Sequence, residues 1–120
     1  MSPRIKRAKV RKRKGPSSLE SMAALKMKAR GVPKWETERR ILAPRRFMFD
    51  FVWSKQRVTL EVHGVYGRKS RHLTPSGFQR DRVKMNLAQL AGWIVIEAGT
   101  DHIRSGEFVH WVIDALGEQD

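Results

Sequence analysis

Two acidic residues, Asp50 and Glu61, each stand in the middle of an otherwise apolar, alternating stretch of the sequence. A charge in such a position is costly unless it is ion-paired, hydrogen-bonded or bound to a metal ion. If the two stretches pair through a tight turn, the acids fall near one another on one face of a sheet. Close carboxylates repel, and a hard cation relieves that repulsion. The pattern therefore predicts a Mg²⁺ site, in which Mn²⁺ can substitute, with Asp50 and Glu61 as ligands.

Ion pairing is the structural alternative for the same two acids. Either carboxylate could pair with an arginine on a neighbouring strand. The arginines available for this are Arg39, Arg40, Arg45 and Arg46. Structural ion-pair networks of this kind also perturb acidic groups, so the residues alone leave both possibilities open.

Hydrophobic periodicity predicts an α/β fold with the order helix-strand-strand-strand-helix-strand-helix and a mixed sheet. A capping box at Ser17 to Glu20 begins the first helix, and Gly31 ends it. Ser76 and Ser105 are the expected caps of the second and third helices. The expected helices are 17–30, 78–91 and the segment after Ser105, and the expected strands are 35–41, 47–53, 57–63 and 93–96.

The two strands that carry the acids show strict alternation. Four aromatic residues are expected on one face of the second strand, with Asp50 on the other face; they are Phe47, Phe49, Phe51 and Trp53. In the third strand, Val58, Leu60 and Val62 are expected to share one face, and Glu61 and His63 the other. Residues 93–96 form a continuous apolar run, which is typical of a strand covered on both faces.

The charge is unevenly distributed along the 120 residues. The chain has 25 Lys and Arg against 12 Asp and Glu, a net charge of +13, and no cysteine. Eight basic side chains and no acid lie within residues 1–14. We therefore predict a flexible basic arm over residues 1–16 and a folded domain over 17–120, with a polyanion, DNA, as partner. A solubilising tail or a localisation signal is the alternative role of the arm.

A second basic cluster lies in the loop that follows the third strand, residues 64–77. Together with the arm and the next helix, it supplies the expected phosphate contacts. The predicted DNA-binding residues are Arg4, Lys6, Arg7, Arg11, Lys12, Arg13, Lys14, Arg68, Lys69, Arg71 and Arg80. No base-reading helix or zinc-finger spacing is present, and this favours recognition of DNA shape over sequence.

Five segments together resemble the PD-(D/E)XK, or restriction-endonuclease-like, nuclease superfamily. They are 46–53 around Asp50, 60–64 around Glu61, 77–81, 84–86 and 92–95. Within it, they look like small phage and bacterial endonucleases of the very-short-patch-repair type. The compact size also looks like Holliday junction resolvases. The resemblance implies a restriction-endonuclease-like core that uses Mg²⁺ to cut DNA, and a glutamate on the first helix, here Glu20, that joins the strand acids.

One position departs from the superfamily pattern. The usual lysine two residues after the second acid is His63 in this chain. His63 could take over the role of that lysine, or Lys84 on the second helix could supply the cation. The structural alternatives are a hydrogen-bonded His63, a solvated Lys84 and a Glu20 that only caps its helix. The expected catalytic set is therefore Glu20, Asp50, Glu61, His63 and Lys84.

These observations predict a Mg²⁺-dependent, structure-selective DNA endonuclease that resolves Holliday junctions or similar branched DNA. A homodimer is expected, with Phe108, Trp111 and the last strand as candidate exposed apolar surface. The alternatives are a nicking or mismatch endonuclease on duplex DNA and a non-catalytic nucleic-acid-binding protein. No apolar run is long enough to span a membrane, and no secretory signal follows the first residues. We expect a cytoplasmic protein, near the nucleoid or in a phage-infected host cell.

Overall fold

The protein is described by a computed structural model that covers residues 16–64 and 74–117. Four helices and four strands lie in these segments. In chain order they are α1 (Ser18–Ala29), β1 (Glu36–Arg39), β2 (Phe49–Trp53), β3 (Val58–His63), α2 (Pro75–Leu90), β4 (Ile94–Gly99), α3 (Thr100–Ser105) and α4 (Glu107–Leu116).

The strands form one mixed sheet in the order β1-β2-β3-β4. β2 pairs antiparallel with β1 and with β3, and the β2–β3 register aligns Phe51 with Leu60. β4 pairs parallel with β3, so that Glu97 aligns with Glu61. α2 provides the crossover that a parallel connection requires. The expected α/β class with a mixed sheet is confirmed.

Two apolar clusters cover the two faces of the sheet. The first core cluster joins α1 and α4 to the sheet through side chains such as Met27, Val112 and Leu60. The second core cluster contains Val52 of β2 and Ala88 of α2. The sheet is therefore packed on both sides, with Glu61 of β3 buried and Asp50 of β2 partly buried.

The capping residues explain where the helices begin. In α1 the amide of Glu20 donates to Ser17 Oγ at 3.1 Å, and the amide of Ser17 donates to Glu20 Oε1 at 3.0 Å. The predicted capping box is therefore present. α2 begins earlier than expected because Thr74, not Ser76, accepts from the Gly77 amide, at 3.0 Å.

The predicted order is wrong at its C-terminal end. The sequence pattern predicts a turn over residues 100–104, but these residues belong to an additional helix, α3, and the predicted helix after Ser105 corresponds to α4. Gly106, with φ +86°, is the C-cap of α3 and the N-cap of α4. This left-handed conformation favours glycine and separates the two helices. Ser105 Oγ still accepts from the Glu107 amide, at 3.2 Å.

Two expectations about exposure are also wrong. The continuous apolar run of residues 93–96 predicts coverage on both faces, yet Ile94 is 47% exposed and Val95 and Ile96 are only partly buried. Phe108, a candidate for exposed apolar surface, is fully buried in the first core cluster because it begins the apolar face of α4. Trp111 is partly buried against the same cluster.

Within residues 16–64 and 74–117, none of the helices combines the length and the apolar character needed to cross a bilayer.

Candidate functional site

Asp50 and Glu61 lie side by side across β2 and β3, as their spacing predicted. The Asp50 amide donates to Glu61 Oε2 at 3.0 Å, and the Val62 amide donates to Asp50 Oδ2 at 2.9 Å. Each carboxylate thus binds the backbone beside the other acid. These reciprocal contacts fix both side chains with respect to the sheet, and we call the two acids the carboxylate pair.

The same contacts interrupt the regular alternation of β2. Phe51 and Trp53 enter the first core cluster, whereas Phe47 and Phe49 pack in the second. The prediction that all four aromatic residues share one face is therefore wrong. The switch falls at Asp50, where side-chain contacts take the place of backbone pairing: the β2–β3 register extends only to Phe51.

Lys84 of α2 is the ion-pair partner of Glu61. Its Nζ lies 2.6 Å from Glu61 Oε1 and 4.4 Å from the centroid of the Phe49 ring. Glu61 is only 2% exposed and Phe49 is fully buried. The ammonium group is therefore held between a carboxylate and an aromatic face, a strong form of both contacts.

This pairing corrects two of the structural alternatives. Lys84 is not a solvated helix lysine, and the partner of Glu61 is none of the four arginines considered. Arg39 pairs with Glu36 instead, at 2.8 Å. Among the described residues, no ion pair reaches Asp50.

Burial shapes the protonation of the carboxylate pair. Burial raises the pKa of Asp50 to about 7, and repulsion from the neighbouring Glu61 carboxylate adds to the rise. Burial also raises the pKa of Glu61, while the Lys84 ammonium opposes that rise and favours the ionised form. Both shifts favour the protonated acids, so ionising both carboxylates together costs free energy that a bound cation would relieve.

The carboxylate pair fits a Mg²⁺ ion by the kind and number of its donors. Mg²⁺ is commonly bound by one or two carboxylates together with water and phosphate oxygens. Each carboxylate has about four lone-pair positions, so the hydrogen bonds described above leave some for a cation. Within the described ranges, no cluster of three or more His, Asp or Glu side chains is arranged to hold a metal ion. Any ion would therefore rely on the pair and on oxygens from outside the protein.

Glu20 lies on the other side of Asp50, across a cleft between α1 and the first two strands. The cleft has a volume of about 470 Å³, and both Glu20 and Asp50 line it. The Glu20 carboxylate contributes to the raised pKa of Asp50. Glu20 therefore serves as a helix cap and also faces the predicted site.

His63 lies at the end of β3 and contacts β4. Its Nε2 is 3.0 Å from Glu97 Oε1, and Arg82 of α2 approaches the same oxygen at 3.7 Å. The hydrogen-bonded alternative for His63 thus describes its surroundings well. Its role in place of the motif lysine stays a prediction, since it is Lys84 that contacts Glu61.

Most predicted DNA-binding residues lie outside the described residues. This holds for the arm and for the loop cluster of Arg68, Lys69 and Arg71. Arg80 is described, and it is exposed near the start of α2.

Sequence reasoning missed Glu97 and the cleft. The predicted fourth strand ended at residue 96, one residue before Glu97. An acid directly after four apolar residues was the available signal. Trp35, which directly precedes β1, lines this cleft opposite α1, and no local sequence pattern indicates that they lie close together.

Comparison with protein-family models, curated proteins and solved structures finds no match to this chain. The resemblance to PD-(D/E)XK nucleases stays a prediction from the sequence.

Proposed function

We propose that this protein is a Mg²⁺-dependent DNA endonuclease with a restriction-endonuclease-like core, acting on four-way junctions or other branched DNA. The observation that carries the proposal is the carboxylate pair with Lys84 beside it. A buried acid, a partly buried acid and one ammonium group, held by three different elements, form a compact group of the kind that phosphodiester hydrolysis needs.

Each side chain of the site has a separate role in the proposed reaction. Asp50 and Glu61 would hold the cation, which would polarise a water molecule and neutralise charge on the phosphodiester. Lys84, whose ammonium contacts Glu61, would stabilise the negative charge that develops on a phosphate oxygen. Attack of water forms one P–O bond while the P–O bond to the leaving sugar oxygen breaks. His63 is the candidate to accept the proton of the water, and the leaving oxygen takes a proton from solvent.

The basic charge supports DNA as the substrate. Residues 1–14 alone carry eight of the 25 basic side chains, and each phosphate contact adds salt-dependent affinity. Such contacts position a backbone without reading sequence, which favours a substrate defined by shape. As part of the proposal, the protein acts as a homodimer that cuts two strands of a junction, in the cytoplasm where such DNA occurs.

A cleavage assay with Mg²⁺ or Mn²⁺ on junction, flap, mismatch and linear duplex DNA tests the proposal. We expect junction cleavage by the wild-type protein, and its loss in Asp50→Asn and Glu61→Gln with DNA binding retained. Asp101→Asn and Glu107→Gln are matched controls, since both are exposed acids on α3 and α4. These variants should cleave normally.

Other outcomes assign the protein differently. Preferred cutting of linear or mismatched duplex would identify a nicking or mismatch endonuclease. DNA binding without metal-dependent cleavage of any substrate would identify a non-catalytic binding protein, in which Lys84 and Glu61 form only a structural ion pair.

A further inference from the structure

The cleft between α1 and the β1–β2 region, which we call the α1–β2 cleft, adjoins the carboxylate pair. One face of α1, including Ala24 and Leu25, forms one wall. Trp35 and Phe51 form the other side, and Asp50 lies at the boundary with the site. At about 470 Å³, the cleft is within the size range of small-ligand sites.

Trp35 gives the cleft a rigid aromatic surface. Its ring meets Phe51 edge-on at 6.0 Å and Trp53 at 6.1 Å between centroids. Both partners are almost fully buried, whereas Trp35 is only partly buried. Its orientation is therefore fixed by the core while part of the ring faces the cleft. Leu25 on the opposite wall is 68% exposed, so its apolar side chain is accessible to a ligand in the cleft.

The charge around the cleft selects the part of a nucleotide that fits there. Glu20, Glu38 and Asp50 line it, and these carboxylates repel phosphate. They also accept hydrogen bonds from N–H groups, which the edges of nucleobases supply. Lys28 is the one basic residue among the cleft's described lining residues. An apolar, flat group with N–H donors suits this lining, and a phosphate does not.

We propose that the α1–β2 cleft binds the base of an unpaired nucleotide next to the phosphodiester that is cut, with the base packed on Trp35. This inference rests on the proposed nuclease function and specifies its substrate. The phosphate lies over the carboxylate pair while its base enters the neighbouring cleft. In continuous duplex the bases are paired and stacked, so entering the cleft requires unpairing. A branch point or bulge provides an unpaired base at lower cost.

Binding to DNA that differs only in the presence of one base tests the proposal. The probes are a duplex with a single-nucleotide bulge, the same bulge with an abasic analogue, and continuous duplex. All three are measured by fluorescence anisotropy in Ca²⁺, with a denaturing gel to verify that the DNA stays intact. We expect roughly tenfold tighter binding of the bulge with a base than of the abasic bulge, the size expected for one base stacked on an aromatic ring.

Variants test whether the preference for a bulge with a base arises in the cleft. Trp35→Ala should remove the preference, and Trp35→Phe should keep most of it. Trp111→Ala is the matched control, because Trp111 is also a partly buried tryptophan packed against the first core cluster, yet it lies outside the cleft lining. Ser21→Leu fills the cleft from an exposed position of α1 and should lower the preference without disturbing the core.

Three results would overturn the inference: equal binding of both bulges by the wild type, a preference that survives in Trp35→Ala, or one that survives in Ser21→Leu. If Trp35→Ala fails to fold, the result with Ser21→Leu decides whether the cleft binds the base. Failure of the nuclease function is distinguishable. Mg²⁺-dependent cleavage without a base preference refutes the cleft alone, whereas a base preference without cleavage refutes the enzyme alone.

Discussion

Neutralising Asp50 should stabilise the protein while it removes cation binding. Burial raises the pKa of this carboxyl from 3.8 to about 7, with repulsion from Glu61 adding to the rise. The native state therefore binds more protons than the unfolded state between these values, so its stability falls as the pH rises from about 4 to about 7. The difference between these two pKa values corresponds to roughly 4 kcal/mol at full ionisation.

Asp50→Asn keeps an oxygen that can accept from the Val62 amide and removes the charge. Because part of the cost comes from burial, which an amide shares to a smaller degree, we expect a gain of about 2–4 kcal/mol at pH 8. At pH 4, where the wild-type carboxyl is protonated in the native state, the gain should largely vanish. Urea unfolding at the two pH values measures both quantities.

A bound cation should instead stabilise the wild-type protein and not the Asp50→Asn variant. Mg²⁺ at a hundred times its dissociation constant should stabilise the wild type by about 2.7 kcal/mol at pH 8. The same concentration should leave Asp50→Asn unchanged, while the control Asp101→Asn should respond like the wild type. The reasoning is refuted if Asp50→Asn is less stable than the wild type at pH 8, or if Mg²⁺ stabilises both proteins equally.

The remaining predictions concern the ion pair, the helix cap and the basic arm. Lys84→Met leaves Glu61 buried without its partner and should destabilise the protein by about 3–5 kcal/mol. The double variant with Glu61→Gln should recover much of this loss. Additive effects of the two substitutions in denaturant unfolding would contradict the pairing. Ser17→Ala should cost about 1 kcal/mol through the lost cap. Glu20→Gln can keep the capping box, so it should leave the thermal midpoint unchanged and lower cleavage; a wild-type cleavage rate would restrict Glu20 to capping. Deleting residues 1–14 should flatten the salt dependence of DNA binding by up to about 7 in log–log slope, since eight charges are removed; an unchanged slope would exclude the arm from DNA contact.

The proximity of the carboxylate pair was predictable because two strand patterns joined by a short turn form a hairpin. Residue spacing predicts that Asp50 and Glu61 lie in adjacent strands, and their reciprocal hydrogen bonds confirm that they are neighbours. The alternation of β3 is likewise confirmed, with Val58 and Leu60 in the first core cluster. An alternating pattern correctly predicts which residues share a face of the sheet as long as the strand is regular.

The errors arise where tertiary contacts override the local pattern. The face of Phe49 changes because Asp50 binds Glu61 and Val62 through its amide and side chain, and no periodicity reports such contacts. Lys84 lies 23 residues after Glu61 in the sequence, and only the packing of α2 on the sheet brings the two together. The extra helix near the end of the chain depends on Gly106, whose left-handed conformation separates α3 from α4, and the short α3 carries no periodic apolar pattern of its own.

Placing the ammonium group on α2 has a consequence for regulation and design. The acids belong to the sheet and the cation belongs to a helix, so a small slide of that helix would change the spacing of opposite charges without bending any strand. The helix begins at Pro75 and carries the exposed Arg80 near its start. A ligand that shifted this end of α2 would therefore change the distance between Lys84 and Glu61.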